Sequence, residues 1–198
     1  MATTTETLSN FIDGEAVVWT GETEAVLNLA TGEELARAPR STPEEVDRAV
    51  RAARTAFESW SKTTPAQRAE ALLGIADVLE EHAEEIARLE ALNGGKPIEA
   101  VKGDEIPAML DNLRFFAGAA RVLEGRAAGE YLEGHTSFTR REAVGVIGQV
   151  TPWNYPLMMA IWKFAPAIAA GNTVGLKPAE TTPMTTVRLA ELIGEREL

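Results

Sequence analysis

The chain has 198 residues, of which 45% are hydrophobic and 25% charged, and this is enough apolar surface for a globular core. Its formal net charge of −11 argues against binding to nucleic acid or to an anionic membrane, because phosphate groups are bound by clustered lysine and arginine. The sequence contains no cysteine and only two histidines, which excludes disulfides and thiolate zinc sites within it and predicts no metal centre.

Turn signals, rather than a targeting signal, characterise the N-terminal segment. The first ten residues, MATTTETLSN, lack a basic region followed by an apolar run, and no segment approaches the ~20 apolar residues of a membrane-spanning helix. We therefore expect a cytoplasmic protein. Asp13 and Gly14 lie between two apolar runs and predict a hairpin, and Thr31 with Gly32 repeats this turn chemistry.

Three helices are predicted next along the chain. The segments T-P-E-E (42–45) and T-P-A-Q (64–67) each combine a threonine cap, a first-turn proline and a capping-box partner. The second of these helices is expected to continue without a break to Leu92, where N-G-G-K-P stops it. A third helix is predicted from Ile106 and is expected to end at Gly125. Its apolar face consists of Leu110, Leu113, Ala117 and Ala120.

The last part of the sequence predicts a strand–helix–strand–helix unit. A buried strand is expected at 144–150, followed by a helix that is apolar nearly all round and ends at Gly171. A second short buried strand is expected at 173–176, and a final helix with Thr182 as its cap and Pro183 as its first residue. Such strands pair in parallel through a right-handed crossover, and ligands bind at their C-terminal ends.

Polar residues follow both predicted strands, and position alone leaves two interpretations for each. Asn154 lies at the start of a helix, where its amide either donates to a developing oxyanion or caps the helix. Lys177 and Glu180 either bind ribose hydroxyls or form a solvated turn. Four residues share one face of the helix after the first strand and are typical of a core: Tyr155, Met158, Met159 and Trp162.

Several segments of the chain resemble the aldehyde dehydrogenase superfamily. They are PWNYP, KFAPAIAAGNTVGLKPAE, NLATGE, AFESW, AQRAEALL and NGGKP, and the likeness covers residues 10–198. The resemblance implies an α/β fold, the N-terminal portion of the aldehyde dehydrogenase fold, with helices and the first βαβα units of a Rossmann-like NAD-binding domain. It implies a single incomplete domain at 1–198, an extended oligomerisation arm at 126–143, and a catalytic domain outside this sequence.

The resemblance also implies roles for the residues after the strands. Asn154 corresponds to the amide that stabilises the thiohemiacetal oxyanion of the reacting aldehyde. Lys177 and Glu180 correspond to the ligands of the adenosine ribose, and Pro152 and Trp153 belong with them as cofactor-binding residues. A glutamate at this position accepts from both ribose hydroxyls and repels a 2′-phosphate, so NAD is expected rather than NADP.

A narrower likeness concerns the substrate. The segments DEIPAMLDNLRFFAGAARVLEGRAAGEYLEGHTSFTRR and WNYPLMMAIWK are similar to the aminobutyraldehyde and other aminoaldehyde dehydrogenases. This likeness implies that Tyr155 and Trp162 form an aromatic cage for the amine of a substrate such as 4-aminobutanal, with Glu105 near an acidic position of the same site. Betaine aldehyde fits the same cage, which leaves the exact aldehyde open.

The family's chemistry needs a cysteine thiolate, a general-base glutamate and a glycine-rich turn beneath the pyrophosphate, and the sequence contains none of the three. We therefore predict that the 198-residue chain alone does not oxidise aldehydes. Full-length members of the family are dimers or tetramers, so a homo-oligomer is expected. The alternative interpretation is a truncated, non-catalytic binding or oligomerisation module.

Overall fold

The computed structural model describes residues 6–196, in which every sheet has two strands. The strands are β1 (Asn10–Ile12), β2 (Glu15–Val17), β3 (Thr23–Leu27), β4 (Glu34–Pro39), β5 (Gly129–Leu132), β6 (His135–Ser137), β7 (Val146–Val150) and β8 (Thr173–Lys177). The helices are α1 (Pro43–Trp60), α2 (Pro65–Glu81), α3 (Ala83–Gly94), α4 (Ile98–Ala100), α5 (Ile106–Ala120), α6 (Pro156–Ala169) and α7 (Met184–Glu195), with a π-helical turn (Val101–Glu105) between α4 and α5.

Both predicted turns and both capping boxes are confirmed. Asp13 and Gly14 have φ values of 59° and 77°, the left-handed pair that a two-residue hairpin between antiparallel strands requires. At the start of α2, Thr64 Oγ1 accepts a hydrogen bond from the Gln67 amide at 3.3 Å, and the Thr64 amide donates to Gln67 Oε1 at 2.9 Å. These features form from residues adjacent in sequence, and local pattern therefore predicts them.

The unbroken helix predicted from 64 to 92 is wrong, because the chain bends at His82 and forms α2 and α3. His82 has φ −102° and ψ 14°, although its amide still bonds to the Val78 carbonyl and its carbonyl accepts from the Ile86 amide. The bend lets α2 pack against α5 while α3 packs against α7. No proline or glycine marks this position, so the sequence pattern contains no signal for it.

The third helix begins at Ile106 as predicted but ends at Ala120 rather than at Gly125. The amides of Arg121 and Val122 bond to carbonyls three residues back, which tightens the last turn and ends the helix. The apolar face predicted for this helix is confirmed, since all four of its members are buried: Leu110, Leu113, Ala117 and Ala120.

The hydrophobic core lies where α2, α5 and α6 pack together, and it continues into α3 and α7. The sheet formed by β7 and β8 contacts α6 and also α1. The largest side chains that are fully buried in this core include Leu72, Leu79, Ile86, Met109, Leu113, Leu157 and Ile161. Because α6 is central to the core, its N-terminal end is supported from several sides.

The predicted parallel pair is confirmed, with Val146 opposite Thr173 and Val150 opposite Lys177. The first strand begins two residues later than predicted. Asn172 Oδ1 accepts hydrogen bonds from the amides of Val144 and Gly145, at 2.7 Å and 3.0 Å, and so holds these two residues outside the regular strand.

The burial predicted for these strands is wrong. Val150 is 66% exposed, Val144 before the strand is 87% exposed, and most of β8 is only half-buried. Within residues 6–196, β7 and β8 pair only with each other, so their outer edges are open. A parallel strand becomes fully buried only when both of its faces are covered and its edges are paired.

The segment at 126–143, predicted as an extended arm, contains the antiparallel hairpin of β5 and β6. It is exposed over nearly its whole length. Large apolar side chains of this segment face solvent: Tyr131, Leu132 and Phe138.

Candidate functional site

Two loops lie side by side at the C-terminal edge of the parallel pair. Loop A (residues 151–155) follows β7, and loop B (residues 178–183) follows β8. The Thr151 amide donates to the Lys177 carbonyl at 3.1 Å, which extends the pairing into loop A. Thr182 Oγ1 contacts the Trp153 carbonyl at 3.5 Å and links the two loops. The structure therefore brings Pro152, Trp153, Asn154, Lys177 and Glu180 to one edge.

Asn154 does not cap the following helix, so the capping interpretation is wrong. Tyr155 is the N-cap residue of α6, and among the described residues no side chain of this turn caps the helix. Asn154 is exposed. Its amide lies next to the N-terminal end of α6, where helix amides and the helix dipole favour negative charge. An amide donor in this environment suits a developing oxyanion.

Lys177 and Glu180 form an exposed ion pair in which Nζ and Oε1 are 2.6 Å apart. The hydrogen bond from Lys177 holds the pKa of Glu180 below its ordinary value, so this carboxylate is ionised at neutral pH. Both side chains are more than half exposed, and such pairs contribute little to stability. An ionised, accessible carboxylate beside a lysine fits the two vicinal hydroxyls of a ribose, which are hydrogen-bond donors.

The three residues predicted to bind the substrate lie in different environments. Tyr155 and Trp162, two turns apart on one helical face, are 40% and 46% exposed, so the interpretation of this stripe as core is wrong for them. Glu105 is only 5% exposed. Its two carboxylate oxygens each accept from Lys96 Nζ at 2.8 Å, and Lys96 Nζ also lies 4.5 Å from the centroid of the Tyr155 ring. The structure thus joins Glu105 to Tyr155 through a lysine of the chain itself.

A buried polar cluster beneath loop A was not predicted from the sequence. Glu90 is 1% exposed, with Oε2 accepting from Thr185 Oγ1 at 2.5 Å, Oε1 accepting from the Leu157 amide at 3.4 Å, and Lys96 Nζ 3.6 Å away. Burial raises the pKa of Glu90, and the hydrogen bond from Thr185 and the charge of Lys96 oppose this rise. One signal for this residue exists in the sequence: Glu90 lies four residues after Ile86, at a core position of α3.

Neither a metal site nor a membrane-spanning helix is present in residues 6–196. No group of three or more histidine or carboxylate side chains converges there as a metal site requires. None of the helices described is both long and apolar enough to cross a membrane.

The parallel β7–α6–β8–α7 unit, with its polar loops at the C-terminal strand ends, is of the α/β class and has the topology from which dinucleotide-binding domains are built. The family model for the aldehyde dehydrogenase family matches residues 19–198, and the chain belongs to this family. NAD is a cofactor of the family, because an aldehyde dehydrogenase of Bacillus cereus has been solved as an NAD+ complex; that structure is 41% identical, with a TM-score of 0.92 over 98% of this chain and 40% of the other.

Two relatives match this chain with similar sequence identity and coverage. Malonate-semialdehyde dehydrogenase 2 of Geobacillus kaustophilus is 45% identical over 100% of this chain and 41% of its own length. A putative aldehyde dehydrogenase of Bacillus subtilis, DhaS, is 42% identical over 93% of this chain and 38% of its own length. The chain therefore spans about two fifths of the length of these relatives.

Proposed function

We propose that this chain supplies the oxyanion donor and the ribose-binding residues of an NAD-dependent aldehyde dehydrogenase, which oxidises an aldehyde to the carboxylic acid. The observation that carries the proposal is that loop A and loop B lie at one edge, with the exposed amide of Asn154 in loop A and the accessible carboxylate of Glu180 in loop B. Membership of the family supports the same conclusion.

Each residue has a chemical task in this proposal. A cysteine thiolate from outside these 198 residues adds to the aldehyde carbon, and the Asn154 amide donates to the oxyanion that forms. Glu180 and Lys177 bind the adenosine ribose, and Pro152 and Trp153 line the same loop edge. Bound NAD supplies the hydride acceptor.

The first prediction concerns the cofactor. In the full-length gene product, Glu180→Ala is expected to raise the Kd for NAD+ about tenfold, because it removes charged acceptors from two ribose hydroxyls. Its preference for NAD+ over NADP+ is expected to shrink at the same time, since the repulsion of a 2′-phosphate is lost. Isothermal titration with both cofactors measures this change. Glu58→Ala, an exposed glutamate on α1, is the control; an unchanged NAD+ affinity in Glu180→Ala would contradict the assignment.

For the substrate we propose an aminoaldehyde such as 4-aminobutanal. The exposed rings of Tyr155 and Trp162 support this, because aromatic faces attract an ammonium group. The carboxylate of Glu105 is already paired with Lys96, whose ammonium group also lies over the Tyr155 ring, so the free ring of Trp162 is the main partner left for the amine.

The second prediction tests this substrate class. Wild-type full-length enzyme is expected to have a higher kcat/KM for 4-aminobutanal than for butanal, and Trp162→Leu is expected to reduce the ratio about five- to thirtyfold, because a cation–π contact contributes about 1–2 kcal/mol. Steady-state kinetics with both aldehydes provide the measurement. Phe115→Leu, at an exposed ring on α5, is the matched control. A wild-type preference for butanal, or an equal loss for both aldehydes, argues for an uncharged substrate.

We also propose that the full-length protein is a homo-oligomer whose arm at 126–143 contributes to the interface. The exposed apolar side chains of its hairpin support this, since they leave a hydrophobic surface in the single chain. The cytoplasmic location expected from the sequence stays a prediction.

A further inference from the structure

We propose that the C-terminal end of α3 positions both loops of the site, with Glu90 fixing loop A and Asn93 fixing loop B. The two residues are positioning residues, and their effect on catalysis rests on the function proposed above. Through loop A, Glu90 sets the place of Asn154; through loop B, Asn93 sets the place of Glu180. Both are buried, at 1% and 2% exposure.

The helices after the two loops lack caps from their own sequence. The N-cap residue of α6 is Tyr155 and that of α7 is Pro183, and in the described residues neither helix start has a local side-chain cap. The cap predicted at Thr182 is therefore wrong, because its hydroxyl contacts the Trp153 carbonyl instead. Helix starts leave amides that need acceptors, so a buried helix start requires a partner from elsewhere.

The partners come from α3. Glu90 Oε1 accepts from the Leu157 amide in the first turn of α6, and Asn93 Oδ1 accepts from the Met184 amide at the start of α7, each at 3.4 Å. The negative charge of Glu90 near the N-terminal end of α6 is also favoured by the helix dipole. Because residues three apart on a helix lie on one face, a single turn of α3 reaches both helix starts.

Glu90 and Asn93 each make a second hydrogen bond that strengthens the contact of α3 with the two loops and helix starts. Thr185 Oγ1, in the first turn of α7, donates to Glu90 Oε2 at 2.5 Å, so Glu90 contacts both helix starts. Asn93 Nδ2 donates to the Thr181 carbonyl at 3.0 Å and holds loop B directly. Buried side chains with paired donors and acceptors have one favourable arrangement, because a broken bond leaves a polar group without a partner.

The site residues themselves have few bonds that hold the loops in place. Asn154 is exposed, and Glu180 is bonded to its neighbour Lys177, which belongs to the same turn. Their positions therefore depend on the loop backbones, which α3 holds from below. Catalytic donors need placement within fractions of an ångström, so a small shift of loop A is expected to affect the reaction.

The test uses the full-length gene product with Glu90→Gln and Asn93→Ala, and with Glu84→Gln on the exposed face of α3 as the matched control. Hydrogen–deuterium exchange followed by mass spectrometry is expected to show about five- to tenfold faster exchange at the start of α6 in Glu90→Gln and at the start of α7 in Asn93→Ala. The first variant replaces a charged acceptor by a weaker neutral one and the second removes the acceptor, and either change costs about 1 kcal/mol. Asn93→Asp keeps the acceptor for the Met184 amide but loses the donor to the Thr181 carbonyl, so exchange at the Met184 amide is expected to be slower than in Asn93→Ala.

Kinetic measurements separate positioning from general damage. Glu90→Gln is expected to lower kcat with little change in the Kd for NAD+, whereas Asn93→Ala is expected to raise that Kd with a smaller effect on kcat. Faster exchange throughout the chain, or equal loss of kcat and NAD+ affinity in both variants, overturns the proposal. If Glu90→Gln does not fold, Thr185→Val removes one donor to the same carboxylate and is judged by the same exchange pattern.

The same measurements test the positioning role of α3 separately from the proposed function. If the wild-type protein neither binds NAD+ nor oxidises aldehydes, the proposed function fails, while the local exchange pattern still decides whether α3 holds the two loops. If turnover is normal and the exchange at both helix starts is unchanged in the variants, only the positioning role fails.

Discussion

Replacing Lys96 by methionine is expected to lower the free energy of unfolding by about 3–5 kcal/mol at neutral pH, the usual effect of removing one partner from a buried ion pair. Lys96 Nζ is the cation between two carboxylates, 2.8 Å from Glu105 and 3.6 Å from Glu90, which are 7% and 1% exposed in their side chains. Methionine fills a similar volume, so the loss reports the missing charge rather than a cavity.

The loss is expected to depend on pH. The pKa of Glu90 is raised by burial from its ordinary value of 4.5, and Lys96 opposes this rise, so removing the lysine raises the pKa further. A carboxyl with a raised pKa in the folded state favours folding fully below its unfolded pKa, and this contribution disappears as pH rises through the folded pKa. The deficit of Lys96→Met is therefore smallest in acid, where Glu90 is protonated in both folded proteins, and it grows as pH rises through the raised pKa of Glu90 in the wild-type fold.

Urea unfolding of both proteins at several pH values measures this difference. Lys102→Met is the control, because Lys102 pairs with Glu84 at the surface, at 33% and 55% exposure, and such a pair contributes about 0–1 kcal/mol. A deficit no larger than that of Lys102→Met, or one that does not change with pH, would show that water reaches the two carboxylates.

Replacing Asn154 by alanine is expected to lower kcat of the full-length enzyme about 10²- to 10³-fold, the typical effect of removing one oxyanion donor. The folded state is expected to keep its stability within about 0.5 kcal/mol, because the side chain is exposed and does not cap α6. NAD+ affinity is expected to stay unchanged, since the proposed ribose ligands, Lys177 and Glu180, lie at the end of β8 and in loop B rather than in loop A.

Steady-state kinetics, urea unfolding and NAD+ titration of this variant separate these three effects. Asn10→Ala is the matched control, because the Asn10 amide donates to Ser41 Oγ at 2.8 Å, far along the chain from both loops. An unchanged kcat in Asn154→Ala would remove this residue from the reaction. A large loss of stability would instead return it to a structural role.

Features that form from residues close together along the chain were mostly predicted correctly, and features that depend on distant contacts were mostly not. The Asp13–Gly14 turn and the Thr64–Gln67 capping box depend on neighbouring residues, and the sequence pattern predicted both. The bend at His82 depends on what α2 and α3 pack against, and no local residue marks it. The burial of the β7–β8 pair was wrongly predicted because an apolar strand pattern does not show what covers the strand.

The candidate site divides in the same way. Asn154, Lys177 and Glu180 were proposed from the sequence, because they follow predicted strands and lie in segments that resemble the family. The sequence did not predict that Glu90 and Asn93 hold the two loops. A buried glutamate and a buried asparagine look like ordinary polar residues of a helix until their partners are known.

The sequence by itself determined the family, the parallel strand–helix unit and the turns and caps, because each is written in residues close together along the chain. Only the tertiary structure decided which groups meet beneath the loops. The bonds from Leu157, Met184 and Thr185 to α3 join residues 67 to 95 positions apart. Contacts at such separations depend on how the helices pack, and helix packing follows from the whole set of buried side chains rather than from any local pattern.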